Sequence, residues 1–93
     1  MIIAVAKIRL YAPWVNSLKE KRMIVKSLTA KVRSRFNVSV AETEEQDVHR
    51  TIVLAVACVA GDISQADSMM EHVLSFMERN TEAEIIKVDR EIR

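Results

Sequence analysis

The sequence predicts an α+β domain in which six elements follow one another as β-α-β-β-α-β. Two amphipathic stretches with helical periodicity, at 17–36 and 66–80, supply the helices. Four stretches with alternating or continuous apolar character, at 2–11, 38–42, 51–60 and 84–91, supply the strands. Turn-prone residues, Pro13, Asn37 and Gly61, fall between them. Two β-α-β units with right-handed crossovers and a hairpin between the middle strands close most simply as a ferredoxin-like sandwich, a four-stranded antiparallel sheet with both helices on one face. Strands one and three then lie in the middle.

The first strand alternates, with Ala4, Ala6, Ile8 and Leu10 on one face and Ile3, Val5, Lys7, Arg9 and Tyr11 on the other. Pro13 has no N–H for a sheet ladder, so 12–16 is the loop into the first helix, and Trp14 is expected to close the end of the core. Ser17 is placed to cap that helix and Glu20 to complete a capping box, with Leu18, Ile24, Val25, Leu28, Val32 and Phe36 on the apolar side. Asn37 is the expected stop. After the strand at 38–42 comes a polar connection, 43–50. The run Thr51–Ala60 is β-branched or apolar at nearly every position, which predicts a central strand covered on both faces. Gly61 ends it, Asp62 or Ser64 caps the second helix, and Ala66, Met69, Met70, Val73, Leu74, Phe76 and Met77 form that helix's inner stripe. The methionines are adaptable core filling. Ile86 and Val88 alternate against Lys87 and Asp89 in the last strand.

Length and composition bound the rest. Ninety-three residues, 49% of them hydrophobic with one Gly and one Pro, make one domain, 1–93, built mostly of regular elements. The longest uncharged run, 51–61, is too short to span a bilayer, and the first residues lack the basic-then-apolar pattern of a secretory leader. One cysteine, Cys58, has no internal disulfide partner, which fits a reducing compartment. The expected location is cytoplasmic, with no membrane partner.

The net charge of +1 conceals a polarised distribution. Residues 19–35 hold seven of the 14 basic side chains, Lys19, Lys21, Arg22, Lys26, Lys31, Arg33 and Arg35, against Glu20 alone. At about 100° per residue, Lys19, Arg22, Lys26 and Arg33 share an arc of about 60° and form a stripe roughly 21 Å long. Charged residues on a helix commonly do no more than solvate its outer face, but such faces usually mix signs. Lys19, Lys21 and Arg22 also sit in the first turn, where the helix dipole disfavours each cation by about 0.3–1 kcal/mol. A placement that opposes stability points to a bound anion, with Lys19, Lys21, Arg22, Lys26, Arg33 and Arg35 as the candidate nucleic-acid or anion-binding residues. An RRM's stacking aromatics are missing from the 51–60 strand and no G-x-x-G loop of the KH type occurs, so single-strand readout on the sheet is not expected.

Other candidates carry less chemistry. Glu42, Glu44, Glu45 and Asp47 gather carboxylates around the third connection, but without EF-hand spacing or its central glycine they read as a solvated loop, and no metal site is expected. His49 reads as a surface residue and His72 as a structural one. Cys58, in mid-strand, reads as an inert buried thiol. Lys21 falls at about 200° on the helix, inside the apolar arc. A desolvated catalytic amine is one reading of it and a snorkelling stem the simpler one. No His–carboxylate pair, phosphate-binding loop or C-x-x-C accompanies it, so neither an enzyme nor a cofactor is expected.

The blocks Ser-Leu-Lys-Glu-Lys-Arg at 17–22, Arg-Phe-Asn-Val-Ser-Val-Ala-Glu at 35–42 with Asp47 beyond, and Val-Asp-Arg-Glu-Ile at 88–92 resemble the YlxP-like family of small bacterial proteins. The resemblance spans nearly the whole chain. It departs at Val48-His49-Arg50, where relatives would be expected to have Leu-Trp-Gln or similar, so no aromatic in that loop is carried over. It implies a ferredoxin-like fold and a gene near those for a transcription elongation factor, translation initiation factor two and a ribosome-binding factor, hence RNA or a ribosomal particle as partner. The alternative expectation is a homodimeric protein-interaction module, paired through the open sheet face, with no nucleic-acid binding.

Overall fold

The computed structural model describes residues Met1–Arg93. The elements run β1 (Ile2–Tyr11), α1 (Leu18–Arg35), β2 (Ser39–Glu44), β3 (Thr51–Ala60), α2 (Ile63–Arg79) and β4 (Glu84–Ile92). They form a single antiparallel sheet in the order β2-β3-β1-β4, so the two ten-residue strands β1 and β3 lie at its centre. This is the ferredoxin-like arrangement expected from the sequence.

Strand parity determines the two faces. Ala4, Ala6, Ile8 and Leu10 stand opposite Cys58, Val56, Leu54 and Ile52, and all eight are buried beneath the helices. The helices add Leu28 and Val32 from α1 and Ala66, Met70, Val73 and Met77 from α2, at the three- and four-residue spacing of an inward stripe. Phe36 and Phe76 meet edge to face, with ring centroids 5.4 Å apart, and join α1 to α2. Neither helix is long and apolar enough to cross a membrane.

The helix starts follow their caps. Ser17 Oγ accepts from the Glu20 N–H at 3.1 Å, and Asp62 Oδ1 accepts from the Gln65 N–H at 2.8 Å. Of the capping box only this half forms. Asn37 does not stop α1: Phe36 is the cap, in extended backbone, because the chain turns directly into β2 without a left-handed residue. The α2 helix begins at Ile63, three residues before its first inward alanine.

Two expectations are corrected. The β3 strand is fully covered on one face and only partly on the other, where Val53 is fully buried but Val59 is 69% exposed and Ala55 and Ala57 are half-buried. Its continuous apolar character therefore reflects a buried face and a partly open apolar one. Trp14 does not close the core: it is 42% exposed, and Ala12 and Val15 on either side of it are fully buried in its place. Ala12 and Val15 are small enough to fit beneath the helix start, where an indole is not.

Leu54 lies at the centre of β3 and is fully buried. Leu54→Ala should destabilise the protein by about 2–5 kcal/mol, read from urea denaturation, because the surrounding sheet and helices close only part of the cavity left behind.

Candidate functional site

On α1 the cations Lys19, Arg22, Lys26 and Arg33 are all exposed to solvent, as are Lys31 and Arg35 beside them. None of the six pairs with a carboxylate. Elsewhere the basic residues Lys7, Lys87, Arg90 and Arg93 each sit within 4.0 Å of an acidic partner. Arg33 donates from Nη2 to the Val40 carbonyl at 2.6 Å, which sets the stripe beside the edge strand β2. The rest of its guanidinium fork remains free to meet an anion.

Lys21 is corrected out of this surface. Its side chain is 1% exposed, and its ammonium donates to the main-chain carbonyls of Glu45 at 2.5 Å and Val48 at 2.6 Å. The third neighbour is Glu42 Oε2 at 2.8 Å. That approach lacks hydrogen-bond alignment and no other donor reaches the oxygen, so the contact is a buried ion pair rather than a charge-assisted hydrogen bond. With all its donors directed inward, Lys21 cannot reach a phosphate, and it does not snorkel.

The third connection is built around this ammonium. Glu45 adopts a left-handed backbone with φ 57°, the one non-glycine residue to do so, and its carbonyl lies against Nζ. For an L-residue this conformation costs roughly 1–2 kcal/mol, which the ammonium contact offsets. The carboxylates of 42–47 diverge: Glu42 turns inward to Lys21, while Glu44 turns to the open sheet face and meets Lys7 at 3.0 Å. A register shift between Glu42 and Glu44 places these two on opposite faces through one bulged residue. No three His, Cys, Asp or Glu side chains come together in metal-binding range. His49 is half-buried, His72 is exposed on α2 rather than structural, and Cys58 is a buried free thiol.

Three residues gain a role that the sequence reading did not give them. Glu42 shares strand parity with the buried Val40, so a carboxylate on an inward position was a legible misfit. Arg50 Nε donates to the Val15 carbonyl at 3.1 Å and ties the third connection to the 12–16 loop, a contact that no local pattern announces. Trp14 lines an open groove with Met23, Ile24, Ser27, Leu28, Asn80, Thr81 and Glu82. Its exposure follows from Ala12 and Val15 taking the core positions of that loop.

Lys21→Met leaves the Glu42 carboxylate with no counter-charge and should destabilise the fold by about 3–5 kcal/mol. The double variant Lys21→Met/Glu42→Leu should recover much of that loss. A double-mutant cycle in urea checks both values, and simple additivity would show that the two side chains are not coupled.

Residues 3–90 match the family described as "Protein of unknown function (DUF503)". The "Uncharacterized protein YlxP" of Bacillus subtilis (strain 168) is 34% identical over 69 residues, which are 74% of this chain and 75% of that protein. Among solved structures, the de novo designed protein LFR1 1 with ferredoxin fold superposes with a TM-score of 0.57 at 16% identity, over 100% of this chain and 85% of the design. The de novo designed protein Foldit4 superposes with a TM-score of 0.51 at 13% identity, over 99% of this chain and 94% of that one. At such identities the designs bear on the fold alone. The match from end to end of the fold and the identity to the Bacillus protein agree with the motif blocks at 17–22 and 35–42: the chain belongs to the DUF503 family, the YlxP-like proteins.

Proposed function

We propose that this protein is a nucleic-acid or ribosome-associated binding module whose contact surface is the outer face of α1. The observation that carries this reading is the unpaired, single-signed character of that face: six exposed cations on one helix, none within 4.0 Å of a carboxylate. Long cationic side chains in such a row neutralise successive phosphates and release their counterions, and these contacts position a polyanion without reading its sequence. The spacing suits a backbone, since the stripe extends roughly 21 Å along the helix. The gene neighbourhood implied by the family resemblance points the same way.

A second reading, a homodimeric protein-interaction module, draws on the open sheet face. Ile3, Val5, Ala41, Ala55, Ala57 and Val59 lie together there, and apolar surface of this kind commonly marks an interface. Strands of ten, six, ten and nine residues at about 3.3 Å per residue, about 4.8 Å apart, give a face of roughly 550 Å². Two copies would bury about 1,100 Å², just under the standard range of stable interfaces and above most crystal contacts. The face also carries both signs, in Lys7–Glu44 across its middle and Lys87–Asp89 on the edge strand β4, which a two-fold contact can pair with each other.

Fluorescence anisotropy with labelled bacterial RNA should give a log–log salt slope of about −3 to −4, four phosphate contacts' worth. Arg22→Glu/Lys26→Glu should abolish the association while the circular dichroism melt is unchanged, and equal binding by that variant would discard the reading. Light scattering at micromolar concentration should give twice the chain mass, and Val59→Lys should halve it; a monomeric mass for the unmodified chain removes the sheet-face dimer.

A further inference from the structure

Trp14 is the protein's one tryptophan, and it stands in the open on a loop that is held still. Ala12 donates its N–H to the Arg50 carbonyl at 2.9 Å and Val15 donates to the Ala12 carbonyl at 3.1 Å. Arg50 Nε in turn holds the Val15 carbonyl, and Ala12 and Val15 are themselves fully buried. The indole therefore projects from a fixed backbone, with its largest apolar surface unspent on the core. It forms one end of the groove of about 300 Å³ described above, whose floor is Ile24 and Leu28 and whose wall is Met23, 65% exposed. That volume is at the lower limit of sites that hold a small planar ligand, roughly 300–1,000 Å³.

The charge around the groove is specific. Lys19 stands four residues before Met23 and Lys31 four residues after Ser27, so each is the next side chain along a groove-lining row of α1. Both are exposed and unpaired, and together they bracket the groove lengthwise with positive charge. Across from them, Asn80 is occupied through Nδ2 by the Phe76 carbonyl, and Thr81 Oγ1 accepts from the Ala83 N–H. Glu82 is the one charged group of the groove lining: its carboxylate is exposed and has no basic partner. An aromatic platform, flanking cations and a free carboxylate are the elements that hold an unstacked base with its phosphates.

We infer that this groove takes one unstacked base of a single-stranded RNA, stacked on Trp14, with the adjoining phosphates on Lys19 and Lys31. The inference rests on the polyanion reading of α1 and adds to it a preference of strand and of base. A base inside a duplex presents no free ring face, so a duplex meets the stripe without entering the groove. Glu82 accepts hydrogen bonds and donates none, so it favours a Watson–Crick edge rich in donors. Guanine offers N1–H and N2–H side by side, matching two carboxylate oxygens. Uracil places its single N–H between two carbonyl oxygens, which the carboxylate repels.

Intrinsic fluorescence reads the site directly, because Trp14 has no other tryptophan beside it. Uridine heptamers with one central guanosine, all-uridine heptamers and an RNA duplex are titrated at about 50 mM salt, low enough for phosphate contacts to register. The guanosine heptamer should quench Trp14 and bind more tightly than the uridine heptamer, and the duplex should bind without quenching. Trp14→Ala should weaken the guanosine heptamer about 5- to 150-fold, the equivalent of one lost base–aromatic stack. Trp14→Phe should restore most of that affinity, and Glu82→Gln should narrow the preference for guanosine. Binding without quenching, equal quenching by duplex, or affinity within twofold for Trp14→Ala overturns the inference. If Arg22→Glu/Lys26→Glu still abolishes binding in that case, the polyanion reading stands without it. Absence of binding by any of the three RNAs removes both.

Discussion

The structure depends on where one ammonium group is kept. Lys21 is a cation inside the apolar arc of α1, and desolvating it is tolerable only if it is hydrogen-bonded and paired with an opposite charge. The β2–β3 connection accepts from it through two main-chain carbonyls at 2.5 and 2.6 Å, and Glu42 of β2 supplies the counter-charge at 2.8 Å. The connection bends through a left-handed glutamate to do so, and its last residue, Arg50, fastens the neighbouring 12–16 loop. A single side chain on the first helix thereby orders two loops distant in sequence. The blocks at 17–22 and 35–42 that carry the family resemblance each contribute one member of this ion pair, so part of what makes them recognisable has a physical purpose in the fold.

This arrangement divides the basic helix between two tasks. The arc that faces the sheet holds Leu28, Val32 and the sequestered Lys21, while the arc that faces water holds cations with no internal partners. Because the dipole at the start of the helix opposes Lys19 and Arg22, and no carboxylate relieves them, the outer arc keeps a positive potential available to an external polyanion. The groove beside it shares the same loops: Trp14 is presented by the segment that Arg50 fastens, and Arg50 ends the connection that Lys21 orders. The buried ion pair and the proposed contact surface thus share the same loops.

The helices cover one face of the sheet, and the other remains open. It holds a small apolar patch, with Ala55 and Ala57 of β3 between Ala41 of β2 and Val5 of β1, beside which Lys7 of β1 meets Glu44, and Lys87 and Asp89 pair on the edge strand β4. The α1 stripe and the open face point in different directions, so a dimer formed through the sheet would leave both basic helices exposed and double the area that one polyanion meets. Such a pairing would also cover Val59, whose exposure in a single chain has no other compensation.

The sequence by itself determined what is local and periodic. The alternation of Ala4, Ala6, Ile8 and Leu10 assigned a buried face to β1, the three- and four-residue recurrence in α1 and α2 assigned their stripes, and Ser17 and Asp62 marked the helix starts, because pleat, helical period and capping bonds involve only near neighbours. It also gave the order of elements, and with it the fold. Of the proposed contact residues, the sequence grouped Lys19, Arg22, Lys26 and Arg33 correctly on one arc. It could not separate Lys21 from them by charge alone, since its angle showed a misfit whose resolution lay 21 residues away in Glu42. Arrangements decided only by tertiary structure join segments with no fixed spacing: Lys21 with the β2–β3 connection, Arg50 with Val15, and Trp14 in one groove with the residues that follow α2. Burial of β3 belongs to the same class, for apolar residues on both sides of a strand show that each side avoids water without showing what covers it.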